Sequence, residues 1–446
     1  MTYITHKNKI VYNKTHKKIN NKNICGKILK NDNEGWIELE IFGEPFERGF
    51  AHGFLLHKEL ERVIYIFPFL VKEHYKIDLD TFVKNTNNIK TVIQKKFPEY
   101  YDELNGIVSG AKYKGVDINI NFLIAWNSNM SMYEYYNNKN KKSRCSAFIA
   151  TGIATEHNDI VMVHNSHSDF VEMSVFNIIL TIKPTKGHVI KIQTAPGYIS
   201  SGTDFFVCSS GIIGCETTIG RTNYNPIFGS PFFCRIRQAM QYGSTLDDYV
   251  NIMLENNAGD YGCSWLFGNI NTNEIMLFEI GLKIHNIQRT FNGVLYGMNS
   301  AVDYNLRTIE TTDKDIVDLT TSSGSRNVRL NFLLNQKYYG KINLQNSKKI
   351  ISDHYDYSVK KIKMGKNSIC NHGELEHKSK KPFFPRGAVD GKIVNTKLAK
   401  KMSFIGKWGS SCSRVFNTEN FVKEHPKYKS WKNYLINFHN KKWTTL

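Results

Sequence analysis

A succession of strand-like runs beginning at Cys145 constrains this chain most. CSAFIATGIA and IVMVHN (about residues 146–155 and 160–165) flank a polar EHND turn, and VFNIILTIK, HVIKIQTA and FFVCSSGIIGCETTI follow. Each run is short, rich in Ile, Val, Phe and Thr, and bounded by turn residues, which is the pattern of a strand. SWLFGNINTNEIMLFEIG adds a hairpin with an Asn-rich turn. Helical periodicity lies on both sides, over 54–136 before the strands and near 234–256 and 324–338 among and after them. Many antiparallel runs with amphipathic helices to cover them predict a four-layer αββα sandwich, with helices outside and two mainly antiparallel sheets inside.

The chain divides by texture. Residues 1–34 are polar, rich in Lys and Asn and weakly patterned, and predict a flexible or loosely docked arm. Residues 35–144 open with a strand, WIELEIFG, and turn through GEPFERGFAHGFLLHKEL into helices. Residues 145–446 hold most of both sheets. Length alone suggests two or three domains, but a layered sandwich of this size runs as one unit, and 35–144 and 145–446 together predict a single one.

Charge and cysteines exclude several classes. The formal charge is +19, yet the Lys and Arg residues are dispersed and no dense basic block with interleaved aromatics appears. A nucleic-acid partner is therefore not expected, although a basic surface suits peripheral contact with anionic lipid headgroups. No run of about 18 apolar residues predicts a membrane span, and no apolar stretch follows the basic N-terminus as in a secretory signal, so an intracellular location is expected. The eight cysteines form no CxxC pair, so no zinc ribbon is expected and most should be reduced thiols. No cofactor is predicted, and the oligomeric state is open.

Cys145 has an unusual address. Residues 137–144, NNKNKKSR, contain no apolar residue and read as a solvated basic loop, and a strand starts immediately after it. Cutting the Arg144–Cys145 bond would leave a cysteine whose own α-amine, with an ordinary pKa of about 7.7–8, serves as its general base near neutral pH. A buried structural cysteine is the other reading of the same position. The second strand ends in HNSHSD, and a hairpin returns that end beside Cys145. His164, Asn165, His167 and Asp169 are thus candidates to orient the thiol. HxxHxD can also be read as a metal set, but alternation puts strand positions three apart on opposite faces, so a shared ion would need a turn there. Polar residues at a strand end are the third reading.

The order of motifs resembles the phospholipase B-like family of N-terminal-nucleophile hydrolases. RCSAFIATG, VHNS, GCETTI, NNAGDYGCSW and GAVDGKIVNTKLAKKMSF carry the resemblance over most of residues 145–415. GEPFERGFAHG resembles the opening motif of isopenicillin acyltransferase-like proteins, and GSRNVRLNFLL the arginine-bearing helix start of bile-salt hydrolases and penicillin V acylases. The resemblance implies Cys145 as nucleophile, cleavage between Arg144 and Cys145, Asn299 as oxyanion donor, Arg326 beside the thiol and depressing its pKa, and Asn257 at the site. It further implies acyl transfer to water, on a phospholipid or an N-acyl amine, with a silent lipid-binding homologue as a third possibility. Two departures from the family pattern are the absence of a secretory signal and His164–Asn165 where related acylases carry Arg–Asn.

Overall fold

A computed structural model of the chain describes residues 24–31, 33–136, 145–313, 315–376 and 385–446. In chain order the strands are β1 (Gly26–Asn31), β2 (Ile37–Gly43), β3 (Cys145–Thr151), β4 (Val161–Asp169), β5 (Ile178–Pro184), β6 (Ile190–Thr194), β7 (Phe205–Cys208), β8 (Ile212–Thr218), β9 (Cys263–Asn269), β10 (Glu274–Ile280), β11 (His285–Thr290), β12 (Gly293–Gly297), β13 (Tyr355–Asp356), β14 (Lys361–Ile362), β15 (Arg386–Ala388), β16 (Asp390–Asn395), β17 (Ile405–Trp408) and β18 (Thr444–Thr445). Nine of them form one sheet in the order β1-β2-β5-β6-β7-β8-β9-β10-β11, and seven form a second, β12-β3-β4-β16-β17-β18 with β15 also on β4. All these pairings are antiparallel except β2 with β5.

The sheets stack because the residues of β3 alternate. Ala147 and Ile149 face the first sheet, with Ile149 against Gly268 of β9. Phe148 and Ala150 point the other way, onto Leu330, Leu333, Leu334, Ile350 and Ile351 of the covering helices. Helices Pro45–Leu55, Pro98–Tyr113, Phe232–Tyr242 and Leu246–Leu254 lie over the nine-stranded sheet, and Ser322–Phe332 and Leu344–Ile351 over the other. The result is the αββα sandwich expected.

Local details correct the sequence reading. Residues 26–31 of the presumed arm are the edge strand β1, paired with β2; residues 1–23 lie outside the described ones. The helical run near 234–256 is two helices, broken at Gly243, with a Thr245/Asp248 capping box starting the second. The run at 324–338 is the helix Ser322–Phe332 extended by a π turn over Leu333–Lys337.

Helices Pro45–Leu55 and Pro98–Tyr113 cross backbone to backbone. A Cβ on Gly53 would sit 2.0 Å from the Ile107 carbonyl oxygen, and one on Gly110 2.1 Å from that of Phe50. A buried Arg48–Glu103–Arg237 cluster ties this pair to helix Phe232–Tyr242. Gly53→Ala sets a helix-propensity gain of about 1 kcal/mol against overpacking onto rigid backbone, which costs about 1–3 kcal/mol or more. Overpacking wins, because no flexible side chain is there to yield. Urea unfolding should show a net loss of stability; a variant as stable as wild type would show that the helices separate freely.

Candidate active site

The β3–β4 hairpin places the first residue of β3 opposite Ser166, so Cys145, Ala147, Ser166 and His164 share the face toward the first sheet. Cys145 is 6% exposed and borders a small cavity of about 20 Å³, lined also by Ser166, His167, Asp204, Glu216 and Tyr261. That space suits one water molecule and not an acyl chain. Arg144 lies outside the described residues.

Asn299 and Arg326 meet at Cys145 from 154 and 181 residues away. Asn299 follows β12, which pairs with β3, and it adopts φ 74°, a left-handed conformation that asparagine tolerates. Glu279 accepts the Val302 and Asp303 backbone N–H groups and fixes the turn that follows. The Cys145 backbone nitrogen donates to Asn299 Oδ1 at 3.2 Å, and Asn299 Nδ2 donates to the Thr218 carbonyl at 2.9 Å. The oxygen end of the amide therefore faces Cys145. This differs from the expected oxyanion donor, whose NH₂ end would face it.

Arg326, on helix Ser322–Phe332, is fully buried. Nη1 donates to the Cys145 carbonyl oxygen at 2.6 Å and to Ser146 Oγ at 3.0 Å, while Nη2 donates to the Met298 carbonyl and to Asn299 Oδ1 at 2.9 Å. It thus clasps the backbone of Cys145 and sets which way the Asn299 amide faces. The thiol itself is not brought down. Burial first, then the Glu216 and Asp204 carboxylates, push the Cys145 thiol well above its ordinary pKa, and Lys392 opposes them. The Arg326 guanidinium does interact with the thiol, yet burial and the two carboxylates outweigh the nearby cations, so the thiol is raised where the resemblance implies a depressed one.

The remaining candidates separate. Asn165 pairs with Ser146 and so lies on the opposite face from the thiol, where its Oδ1 accepts the Ser146 N–H and its Nδ2 donates to the Ile369 carbonyl at 3.3 Å. His164 shares the Cys145 face, with Nε2 3.0 Å from the Glu216 carbonyl oxygen. Burial, then Lys392, keeps its imidazole neutral; burial, then Arg326, does the same for His167. Asp169 caps Val171 and faces His74 at 3.6 Å. HxxHxD is therefore not one ligand set. Asn257 braces a turn: its Nδ2 donates to the Gly281 and Leu282 carbonyls, and its Oδ1 accepts the Gly259 N–H. It supports the segment carrying Tyr261, which donates to Glu216 Oε1 at 2.7 Å, and does not itself contact Cys145.

Four residues around the thiol escaped the sequence reading. Lys392, fully buried, donates to Ser166 Oγ at 2.9 Å and to Asp390 Oδ2 at 3.1 Å, and Asp390 Oδ1 accepts the Ser166 N–H. Glu216 and Asp204 form the acidic wall. Lys392, Asp390 and Glu216 stand inside GAVDGKIVNTKL and GCETTI, so the signal was a charge inside an otherwise apolar strand. As for metals, the His, Cys and carboxylate ligand atoms that converge among the described residues belong to His354, Cys370, His372 and Cys412, all within 4.8 Å of one another.

No curated protein matches the chain. Solved structures with partial similarity include a mutant form of conjugated bile acid hydrolase from Clostridium perfringens (13% identity, 59% of this chain and 89% of that one, TM-score 0.36) and penicillin V acylase from Agrobacterium tumefaciens (7% identity, 59% and 83%, TM-score 0.30). The family profile of phospholipase B matches residues 109–277, less than half of the 446. Over that stretch, which carries Cys145, both strands of its hairpin and the acidic wall, the chain resembles the phospholipase B family.

Proposed function

We propose that the protein is a self-processing cysteine hydrolase that cleaves acyl bonds through a thioester on Cys145. The observation that carries this reading is the pairing of the Cys145 nitrogen with Asn299 Oδ1, which Arg326 holds in place. A peptide nitrogen there becomes, once the preceding bond is cut, an amine held beside its own thiol. The phospholipase B match supports hydrolysis of an acyl bond.

In processing, the Cys145 sulfur attacks the Arg144 carbonyl carbon. The C–N bond breaks, the nitrogen takes the thiol proton, and a thioester forms. Water then adds to the thioester, releasing the Arg144 carboxyl and the free thiol. In turnover the amine removes the thiol proton, sulfur attacks the substrate acyl carbon, and the leaving group departs with that proton. Water, with the amine again as base, frees the acid. Burial, with Glu216 and Asp204 adding to it, keeps the resting thiol protonated, so sulfur becomes nucleophilic only as the amine takes its proton. The proposed substrate is a phospholipid acyl ester, for which the net charge of +19 favours an anionic interface. An N-acyl amine is the second reading, since the same machinery serves amides.

Two measurements test this. N-terminal sequencing of purified protein should give a fragment beginning CSAFIATG, and fatty acid release should be faster from phospholipid vesicles than from N-acyl amides. Full activity in a single intact chain would overturn self-processing, and the reverse substrate order would overturn the phospholipid assignment.

A further inference from the structure

Behind the Cys145 hairpin, on the side away from the thiol, two loops meet. One runs from 353 to 374 and carries His354, Cys370 and His372; the other follows β17 and carries Cys412. We propose that His354 Nε2, Cys370 Sγ, His372 Nε2 and Cys412 Sγ bind a tetrahedral Zn²⁺ that locks these loops together beneath the nucleophile strand.

The distances fit such an ion. Zinc bound at about 2.0–2.1 Å from nitrogen and about 2.3 Å from sulfur sets tetrahedral edges of about 3.3 Å between two nitrogens and about 3.6 Å between nitrogen and sulfur. His354 Nε2 and His372 Nε2 are 3.2 Å apart, and His372 Nε2 is 3.5 Å from Cys370 Sγ and 3.3 Å from Cys412 Sγ. The ring orientation fits too. His372 Nδ1 lies 2.9 Å from Glu374 Oε1, a contact that places its proton on Nδ1 and leaves the Nε2 lone pair facing the cluster. Ser410 Oγ, 3.4 Å from Cys412 Sγ, and Ser411 Oγ, 4.0 Å from Cys370 Sγ, stand beside the two sulfurs. Two thiolates and two neutral imidazoles balance a divalent charge, and a Cys₂His₂ set selects zinc over harder cations. Four protein ligands leave no open position, so the site is structural. Cys370 and His372 are buried, while His354 and Cys412 are partly exposed, which gives the ion a way in.

The loop has a purpose at Cys145. Ile369, next to Cys370, offers its carbonyl to both Ser146 Oγ and Asn165 Nδ2 at 3.3 Å. The ion would therefore fix an acceptor that orients the second residue of β3 and its neighbour on β4.

Metal analysis of the full chain, expressed with zinc and purified without chelator, tests the proposal. About one zinc per chain is expected. Cobalt exchanged for it should show the intense d–d and thiolate charge-transfer bands of a tetrahedral two-sulfur site, a readout that needs no variant to fold. Cys412→Ser should lose the bound metal, and Cys412→His, which keeps four ligands, should restore it. Glu374→Ala leaves every ligand in place and should weaken zinc binding about 10- to 100-fold. A metal-free chain, octahedral cobalt, zinc retained in full by Cys412→Ser, or a Cys370–Cys412 disulfide in the native protein, seen as the loss of two hydrogens by mass, would each overturn it.

Discussion

Cys145→Ala is expected to yield a single uncut chain whose turnover is lower by roughly 10⁶-fold, the scale at which a nucleophilic enzyme loses its covalent step. The substitution removes one sulfur from a residue 6% exposed at a cavity edge. Its packing cost should be about 1 kcal/mol, so the uncut variant should stay folded, with a circular dichroism spectrum like that of wild type. That contrast separates lost chemistry from lost structure. Cys145→Ser keeps a nucleophilic oxygen and should cut itself slowly, with weak turnover. The Ala variant still producing a fragment that starts at residue 145 would mean that another group or a protease makes the cut. Substantial turnover by that variant would move the nucleophile elsewhere.

The second large effect concerns Asn299, whose Oδ1 takes the Cys145 N–H at 3.2 Å. On protein already cut, Asn299→Asp keeps an oxygen at that position and a side chain that tolerates the left-handed backbone. It also places a negative charge against the α-amine. An opposite charge at that range stabilises the ammonium form and raises the amine pKa by about 1–3 units; Arg326, already bonded to the same oxygen, holds the shift near the lower end. A general base with a raised pKa is more fully protonated at neutral pH, so activity at pH 7 should fall by up to about tenfold. The acid limb of the pH profile should move up by about one unit, with activity recovering at alkaline pH. Asn299→Ala loses the orientation altogether and should fall about 100-fold at every pH. Finding the wild-type pH profile in the Asp variant would show that the amine is not the base, or that Asn299 does not hold it.

Much of this architecture was legible because the inner strands are nearly continuous apolar runs, which few other structures accommodate. β1 was not: GKILKN is an edge strand half facing solvent, and its sequence reads as polar coil. The break between helices Phe232–Tyr242 and Leu246–Leu254 was written in Gly243 and the T-x-x-D box, but the apolar period continues across it. At the site, position made Cys145 a candidate beside its reading as a structural cysteine, and the family resemblance favoured it as nucleophile and pointed to Asn299 and Arg326, since nothing local links residues so far apart. Strand alternation, applied to register, puts Asn165 on the wrong face: Ser166, not Asn165, stands opposite Cys145. Lys392, Asp390 and Glu216 were passed over because isolated charges usually mark solvent faces, and here they face one another between sheets. The Cys and His cluster is spread over residues 354, 370, 372 and 412, a spacing that no short motif describes.

The parallel ladder between β2 and β5 has a further consequence. β2 comes from before Cys145 and β5 from after it, so the seven residue pairs from Ile37↔Ile178 to Gly43↔Pro184 hold the two sides of the proposed cut in one sheet. While the backbone is whole, the partners search for each other as tethered ends, at an effective concentration that dilution does not change. Once it is cut, the mature protein is in effect a heterodimer. Unfolding would then release two polypeptides, and reassembly would become a second-order event that slows with dilution. Maturation would turn a reversible fold into one assembled once, with its lifetime set by the unfolding barrier.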